Sequence, residues 1–152
     1  MEDQWPDYYA DPVGHCIAAF KYGNENERFN AADILRGLAG DAYPAIPVIV
    51  KAMRHDDSYQ VRAQCAFALA DIGSALKERA NSAVLPLMGA LVDDENAEMR
   101  SLAATALGAI GPAAREAIPV LEQALQDKHE WVRAAAEDAL HDLRNESRPP
   151  RS

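Results

Sequence analysis

The stretch from Glu98 to Gly111 carries the pattern of apolar and polar positions that recurs along the chain. Its apolar residues are separated by alternating steps of three and one: Met99, Leu102, Ala103, Ala106, Leu107 and Ile110. These steps keep all six side chains on one face of a helix with 3.6 residues per turn. The stretch therefore predicts an amphipathic helix with one buried face.

The same steps recur in copies that begin at Glu27, Val61 and Val132. An arginine follows the first position of every copy: Arg28, Arg62, Arg100 and Arg133. The arginines are 34, 38 and 33 residues apart, a period that indicates a stacked array of helical repeats.

A second helix alternates with the first, and its clearest copy places Ile118, Leu121 and Leu125 on the buried face. A proline lies near the start of three copies, where a missing N–H costs little. Aligning Pro47, Pro86 and Pro119 puts two further sets of residues in the core: Ile46, Ile49, Val50 and Met53, then Leu85, Met88, Gly89 and Val92.

Eight helices are expected, at about 12–22, 26–39, 44–54, 58–73, 79–92, 96–110, 114–126 and 129–144. Gly40, Gly73 and Gly111 are expected to end the first helix of their pairs, where a left-handed residue is useful. The middle repeat has an insertion of about four residues, expected around 75–80. The domain organisation predicted is an acidic aromatic arm (1–11), a repeat domain (12–144) and a disordered tail (145–152).

Charge and composition narrow the classes of partner. The net charge of −9 argues against nucleic acid and anionic membranes and favours either plain solubility or a basic protein partner. No apolar run approaches the length of a membrane span, and no signal peptide is evident, so a cytoplasmic protein is expected. Cys16 and Cys65 fall on predicted core faces and are expected to be buried thiols.

The repeated residues resemble those of HEAT repeats of the phycobilisome-lyase-like type. The best copy has Asp94, then Met99-Arg100, then Ala106-Leu107-Gly108 and Ile110-Gly111, then Ala117-Ile118-Pro119. The resemblance implies an all-α, right-handed superhelix of about four antiparallel helix pairs. It also implies that first helices line the convex side and second helices the concave side.

An aspartate precedes three of the arginines by six residues: Asp56, Asp94 and Asp127. Each aspartate can cap a helix start, and each arginine can reach that carboxylate or the one in the neighbouring repeat. A ladder of ion pairs is therefore predicted, in which Arg28 lacks a rung because Tyr22 occupies the aspartate position.

The sequence offers little that could carry catalysis. His129-Glu130 is similar to one His-Glu pair of deoxyhypusine hydroxylase, which needs several, and His141 with Glu137 supplies only two possible metal ligands. No phosphate loop, Cys-x-x-Cys pair or nucleophile elbow is present. We therefore expect no catalytic residue, metal or cofactor; a bilin lyase subunit and a HEAT-like DNA glycosylase are weaker alternatives.

The remaining hypothesis is a non-catalytic bacterial module, an adaptor, inhibitor or immunity-type protein, that binds another protein through its concave face. On the second helices Val48, Leu87 and Val120 are expected to form an exposed apolar row, unless they are partly buried against neighbouring helices. Trp131 stands where other repeats have Gln60 and Glu98, so it is a candidate hot spot or a terminal cap. The predicted partner-binding residues are Val48, Lys51, Leu87, Ala90, Val120, Gln123 and Trp131.

Overall fold

A computed structural model describes residues 5–145 of the chain, with side chains to residue 144. Eight α-helices follow one another: α1 (Pro12–Tyr22), α2 (Glu25–Leu38), α3 (Ile46–His55), α4 (Tyr59–Leu76), α5 (Val84–Asp93), α6 (Ala97–Ile110), α7 (Ile118–Ala124) and α8 (Glu130–Asn145). Short 3₁₀ segments join α2 to α3, α4 to α5 and α6 to α7: Ala39–Ala45, Lys77–Ala83 and Gly111–Ala117. The predicted all-α solenoid of about four helix pairs is confirmed.

Polar side chains fix where the longer helices begin. Asn24 accepts a hydrogen bond from the N–H of Glu27, whose carboxylate accepts one from the N–H of Asn24 in return, which is a capping box. Ser58 caps α4 and Asn96 caps α6 through bonds to N–H groups of the first turn. These caps satisfy N–H groups that have no partner within the helix.

Small residues let α2, α4, α6 and α8 stack closely on one another. A Cβ added to Gly73 of α4 would lie 2.5 Å from Cγ1 of Ile110 in α6, and one added to Gly108 would lie 3.0 Å from the Cα of Ala139 in α8. By contrast, contacts within the other layer, from α1 to α3, from α3 to α5 and from α5 to α7, extend over short stretches only.

The closely packed helices must lie on the inner side of a curved stack, because neighbouring helices are nearest to each other there. We therefore call the solvent-facing residues of α2, α4, α6 and α8 the inner face and those of α1, α3, α5 and α7 the outer face. This reverses the sequence expectation, which placed the second helices on the concave side. That expectation came from the resemblance alone and took no account of side-chain size.

The insertion in the middle repeat lengthens a helix by one turn. Helix α4 has 18 residues, whereas α2 and α6 have 14, and the three 3₁₀ segments are equal in length. Gly73 therefore does not end α4 but is buried within it, against Ile110. The residues with positive φ that end the helices are Ala39, Lys77 and Gly111, so the prediction for glycines is correct only at Gly111.

The predicted ladder exists in part, with rungs that run from Arg28 and Arg100 to a carboxylate of the next repeat. Arg28 donates to the carboxylate of Asp56 at 2.7 and 3.0 Å, and Arg100 donates to that of Asp127 at 2.9 and 3.1 Å. Arg28 thus has a rung, contrary to the sequence expectation, because its carboxylate comes from the following repeat. The carboxylates of Asp56 and Asp127 also accept hydrogen bonds from the backbone N–H groups of Ser58 and His129, two residues later in the chain. These bonds close the turn before each helix.

The middle rung is built differently. Arg62 donates to the carbonyl of Asp56 and lies over the ring of Tyr59, 5.8 Å from its centroid, and it makes no ion pair with Asp94. Arg54 of α3 instead pairs with Asp93 of α5 at 3.1 Å. The two central repeats are therefore joined by an ion pair whose acid directly precedes Asp94 and whose arginine comes from α3 instead of α4.

Ion pairing shifts the ladder carboxyls toward their charged form. The hydrogen bonds from Arg100 lower the pKa of Asp127 against the effect of burial. Burial raises the pKa of Asp56, but the bonds from Arg28 and from the N–H of Ser58 outweigh it, and the net pKa is lowered. A lowered pKa in the folded state means that this stabilisation is present above the unfolded value of about 3.9 and is lost as pH falls through the folded pKa.

The structure describes part of the predicted N-terminal arm and one residue of the predicted C-terminal tail. Trp5 packs against the core and meets His15 edge-on at 5.2 Å, whereas Tyr9 is 92% exposed. Asn145 is the last residue of α8, and the rest of the predicted disordered tail lies outside the described residues.

Cys16 and Cys65 are buried free thiols, as predicted, and burial raises the pKa of both, to about 11 for Cys16. Within residues 5–145, none of the helices is long and apolar enough to cross a membrane.

A test of the backbone at the helix ends uses Ala39, which has φ 48° and ψ −116°. L-residues with a Cβ are strained in this region, so Ala39→Gly should raise the free energy of unfolding by about 1 kcal/mol. Gly111→Ala, at φ 78°, should lower it by a similar amount. Urea unfolding measures both changes, and a loss of stability in Ala39→Gly would contradict the argument.

A second test compares two arginines of the ladder. Arg100 is 7% exposed and bridges two repeats, so Arg100→Ala should lower the free energy of unfolding by about 1.5–3 kcal/mol. Arg133 is exposed and donates only to the carbonyl of Asp127, so Arg133→Ala should cost about 0.5–1 kcal/mol. Equal small losses in urea unfolding would mean that the ladder does not stabilise the fold.

Candidate protein-binding faces

The apolar row predicted along the second helices does not exist, because Leu87 and Ala90 are fully buried. Pro47 and Pro119 are the second residues of α3 and α7, whereas Pro86 is the third residue of α5. Aligning the three prolines therefore displaced α5 by one residue, which turns a helix by about 100°. Val84, Leu87, Ala90 and Leu91 form the buried face of α5.

The same displacement left an apolar stripe of α5 in solvent. Leu85 is 66% exposed and Val92 is 60% exposed, with Met88 half-buried between them. Leu85 and Val92 were predicted to be core, which was wrong, whereas Met88 does pack against the core. Val48 and Val120 are half-buried on α3 and α7, and Lys51 and Gln123 are exposed. With the buried Leu87 and Ala90, six of the seven predicted site residues therefore lie on the outer face or are buried beneath it.

Trp131 is exposed, as predicted, but it lies on α8 and therefore on the inner face. Its side chain is 63% exposed and stacks on His129 with the ring centroids 6.4 Å apart. It is thus separated from the other predicted site residues by the thickness of the helix layer.

The inner face is acidic and carries three exposed aromatic side chains. Phe29, Phe67 and Trp131 are 37%, 38% and 63% exposed. Among the described residues of these four helices, nine exposed carboxylates share this face with three exposed guanidinium groups, those of Arg36, Arg133 and Arg144: Glu25, Glu27, Asp33, Asp71, Glu98, Glu130, Glu137, Asp138 and Asp142. Sequence reasoning missed this face because it treated the first helices as the convex side.

Contacts between neighbouring helices hold the inner face in shape. Arg36 of α2 pairs with Asp71 of α4 at 2.5 Å, and its guanidinium lies 5.3 Å from the ring centroid of Phe67. Gln64 donates to Asp33 at 2.9 Å, and the hydroxyl of Tyr59 donates to Glu98 of α6. The Arg36 contact demonstrates that the ring of Phe67 can accept a cation on its face.

A groove opens on the outer face between α1 and α3, with a cavity of about 530 Å³. Its lining includes Val48 and Lys51, which were predicted to bind a partner. The corresponding space between α3 and α5 is occupied by Arg54, whose guanidinium reaches within 3.5 Å of the Cβ position at Gly89. The next junction has a cavity of about 570 Å³, but its lining is entirely polar, with Arg54 and Asp93 among the lining residues, so the groove between α1 and α3 differs from it in its apolar lining.

The described residues offer no grouping that resembles a metal centre, since no three His, Cys, Asp or Glu side chains among them come together. Both thiols are buried with raised pKa values, which keeps them protonated near neutral pH. The exposed surface offers charged groups, aromatic rings and apolar side chains for contact.

This architecture defines the chain as a helical repeat solenoid. The sequence profile of HEAT repeats matches residues 46–141, so the chain belongs to the HEAT repeat family. No curated protein matches the sequence significantly.

Three solved structures are similar to the chain. An engineered protein is 25% identical with a TM-score of 0.71, covering 90% of this chain and 64% of its own. A designed armadillo repeat protein is 23% identical with a TM-score of 0.67, covering 89% and 66%. The chain thus spans slightly less than two thirds of the length of each of these two proteins. The complex of CpcE and CpcF of phycocyanin lyase from Nostoc sp. PCC7120 is 27% identical with a TM-score of 0.61, covering 91% and 81%.

The register of α5 can be tested with two leucines that are two residues apart. Leu87→Glu places a carboxylate in the core without a partner and should destabilise the protein by more than about 3 kcal/mol. Leu85→Glu changes an exposed residue and should stay within about 0.5 kcal/mol of the wild type. Urea unfolding followed by circular dichroism measures the unfolding free energy of both variants. A larger loss of stability in Leu85→Glu than in Leu87→Glu would support the register inferred from the prolines.

Proposed function

We propose that this HEAT-repeat protein is a non-catalytic module that binds a basic segment of another protein along its inner face. The observation that carries the proposal is the combination on one face of exposed aromatic rings with an excess of carboxylates. HEAT and armadillo-like repeats commonly present such an extended surface to protein partners. The proposal keeps a concave binding face and assigns it to α2, α4, α6 and α8.

The charge of the inner face supports a basic partner. Asp138 and Asp142 of α8 and Asp33 of α2 are exposed carboxylates, so the negative charge extends over both ends of the array. Opposite charges at an interface accelerate encounter and select against acidic competitors. Nucleic acid and anionic membranes would be repelled by the same charges.

The aromatic side chains would supply most of the affinity. Tryptophan is enriched among residues whose truncation weakens an interface strongly, and Trp131 has most of its surface free for such a contact. Phe67 already holds the guanidinium of Arg36 against its ring, so an arginine of a partner could take that position or extend the stack. Burying these rings against a cation of the partner should stabilise the complex, whereas an exposed ion pair alone contributes little to the binding free energy.

A second candidate function is that of an enzyme-associated module such as a bilin lyase subunit. It is favoured by the similarity to the phycocyanin lyase complex, which extends over 91% of the chain, and by the resemblance of the repeats to the phycobilisome-lyase-like type. A lyase subunit of this kind would need a second chain. Incubation with a tetrapyrrole, with and without candidate partner chains, should then produce a new visible absorption band.

The principal experiment captures partners from the native host with the wild-type protein and measures their affinity for variants. Trp131→Ala should weaken binding by about 2 kcal/mol, or roughly 30-fold, and Asp138→Lys should weaken it further at low salt. Both residues are exposed, so both variants should keep the helical signal of the wild type.

Val92→Thr on the outer face is the matched control and should leave the affinity within about twofold of the wild type. Binding that survives both inner-face changes but is abolished by outer-face changes would refute the proposal. Binding that requires a tetrapyrrole would favour the second candidate.

A further inference from the structure

The groove between α1 and α3 combines an apolar lining with cations, on the side opposite the inner face. Ile17, Phe20 and Val48 contribute half-buried apolar side chains to it, and Lys21, Lys51 and His55 contribute exposed basic ones. The ion pair of Arg28 and Asp56 also lines the cavity, but these two charges neutralise each other. Its volume of about 530 Å³ is within the range of ligand sites, roughly 300–1,000 Å³.

Lys51, which lines the groove, lacks the internal partner that the neighbouring cation Arg54 has. Arg54, three residues after Lys51, pairs with Asp93 and fills the space over Gly89. The ammonium group of Lys51 makes no hydrogen bond or ion pair with any described residue. A cation beside an apolar cavity in a protein of net charge −9 is a local reversal of the prevailing charge.

The groove is also bounded on one side by an exposed acid, Asp57. A ligand carboxylate would therefore be repelled from that side and attracted toward Lys21 and Lys51. An apolar side chain attached to the ligand would be buried against Phe20 and Val48, which favours binding because apolar area is removed from water.

We infer that this groove is a second binding site, which takes an acidic protein segment by inserting an apolar side chain and pairing a neighbouring carboxylate with Lys51 and Lys21. A protein segment fits better than a free small acid because the outer face carries further exposed apolar surface beyond the groove. Leu85 and Val92 of α5 lie on the same outer face, where a continuing chain could contact them. The module would then hold a basic segment on one face and an acidic segment on the other.

The experiment titrates the full-length, isotope-labelled protein with two peptides of equal length. One is acetyl-Leu-Phe-Asp-Glu-Leu-amide, and the other replaces Asp and Glu by Asn and Gln. The acidic peptide should shift the NMR signals of Ile17, Val48 and Lys51, and the neutral peptide should bind about tenfold more weakly. Sodium octanoate, a free acid with an apolar body, should bind more weakly than the acidic peptide.

Two charge reversals of the same type provide the matched comparison. Lys51→Glu should lower the affinity for the acidic peptide about tenfold or more, whereas Lys128→Glu, exposed in the turn before α8, should change it less than about twofold. Equal effects of the two variants, or shifts confined to other parts of the protein, would overturn the inference. So would equal binding of octanoate and peptide, which would indicate a site for small acids. Loss of the peptide site would leave binding at Trp131 intact, so the two proposals fail separately.

Discussion

The buried ion pair between Arg100 and Asp127 is the contact on which the geometry of the array depends most. The guanidinium donates two bonds to a carboxylate of the next repeat and holds the carbonyls of its own preceding turn, at Asp94 and Glu95. One side chain thus fixes the turn, the start of α6 and the distance to the next repeat. Truncating Arg100 would leave the partly buried carboxylate of Asp127 without its partner. The stability lost in this way exceeds the net contribution of the intact ion pair to folding. Arg28 and Asp56 repeat the arrangement at the first junction, and Arg54 and Asp93 replace it at the second.

Side-chain size then determines which face of the array is which. Glycine and alanine at the contacts between α4, α6 and α8 bring these helices close together, so their exposed residues line the inner side. The shorter helices of the other layer are farther apart, which opens the groove between α1 and α3. The two faces also differ in charge, since carboxylates predominate on the inner face and lysines line the groove. A thin solenoid with two chemically distinct faces is suited to holding two different protein segments.

Periodicity predicted most of the fold, and its errors have identifiable physical causes. The alternating steps of three and one identified most of the cores of the first helices, because those residues face the neighbouring repeats, and Gln64 is the half-buried polar member of the set. Glu27 and Asn30 broke the pattern because no earlier first helix covers them, and both are exposed. The candidate site failed at α5, where nearly every residue is apolar, so the pattern held no information on which side faces in. Pro86 was then the only guide to register, and it stands one residue later than its counterparts.

The central claim, that an inter-repeat ion pair couples neighbouring repeats, is tested most directly by a double-mutant cycle. The unfolding free energies of the wild type, Arg100→Ala, Asp127→Ala and the double variant are measured in urea. Because the two side chains share two hydrogen bonds in a nearly buried position, the coupling energy should be about 1.5–3 kcal/mol. A coupling energy below about 0.5 kcal/mol, the usual level for independent sites, would contradict the claim.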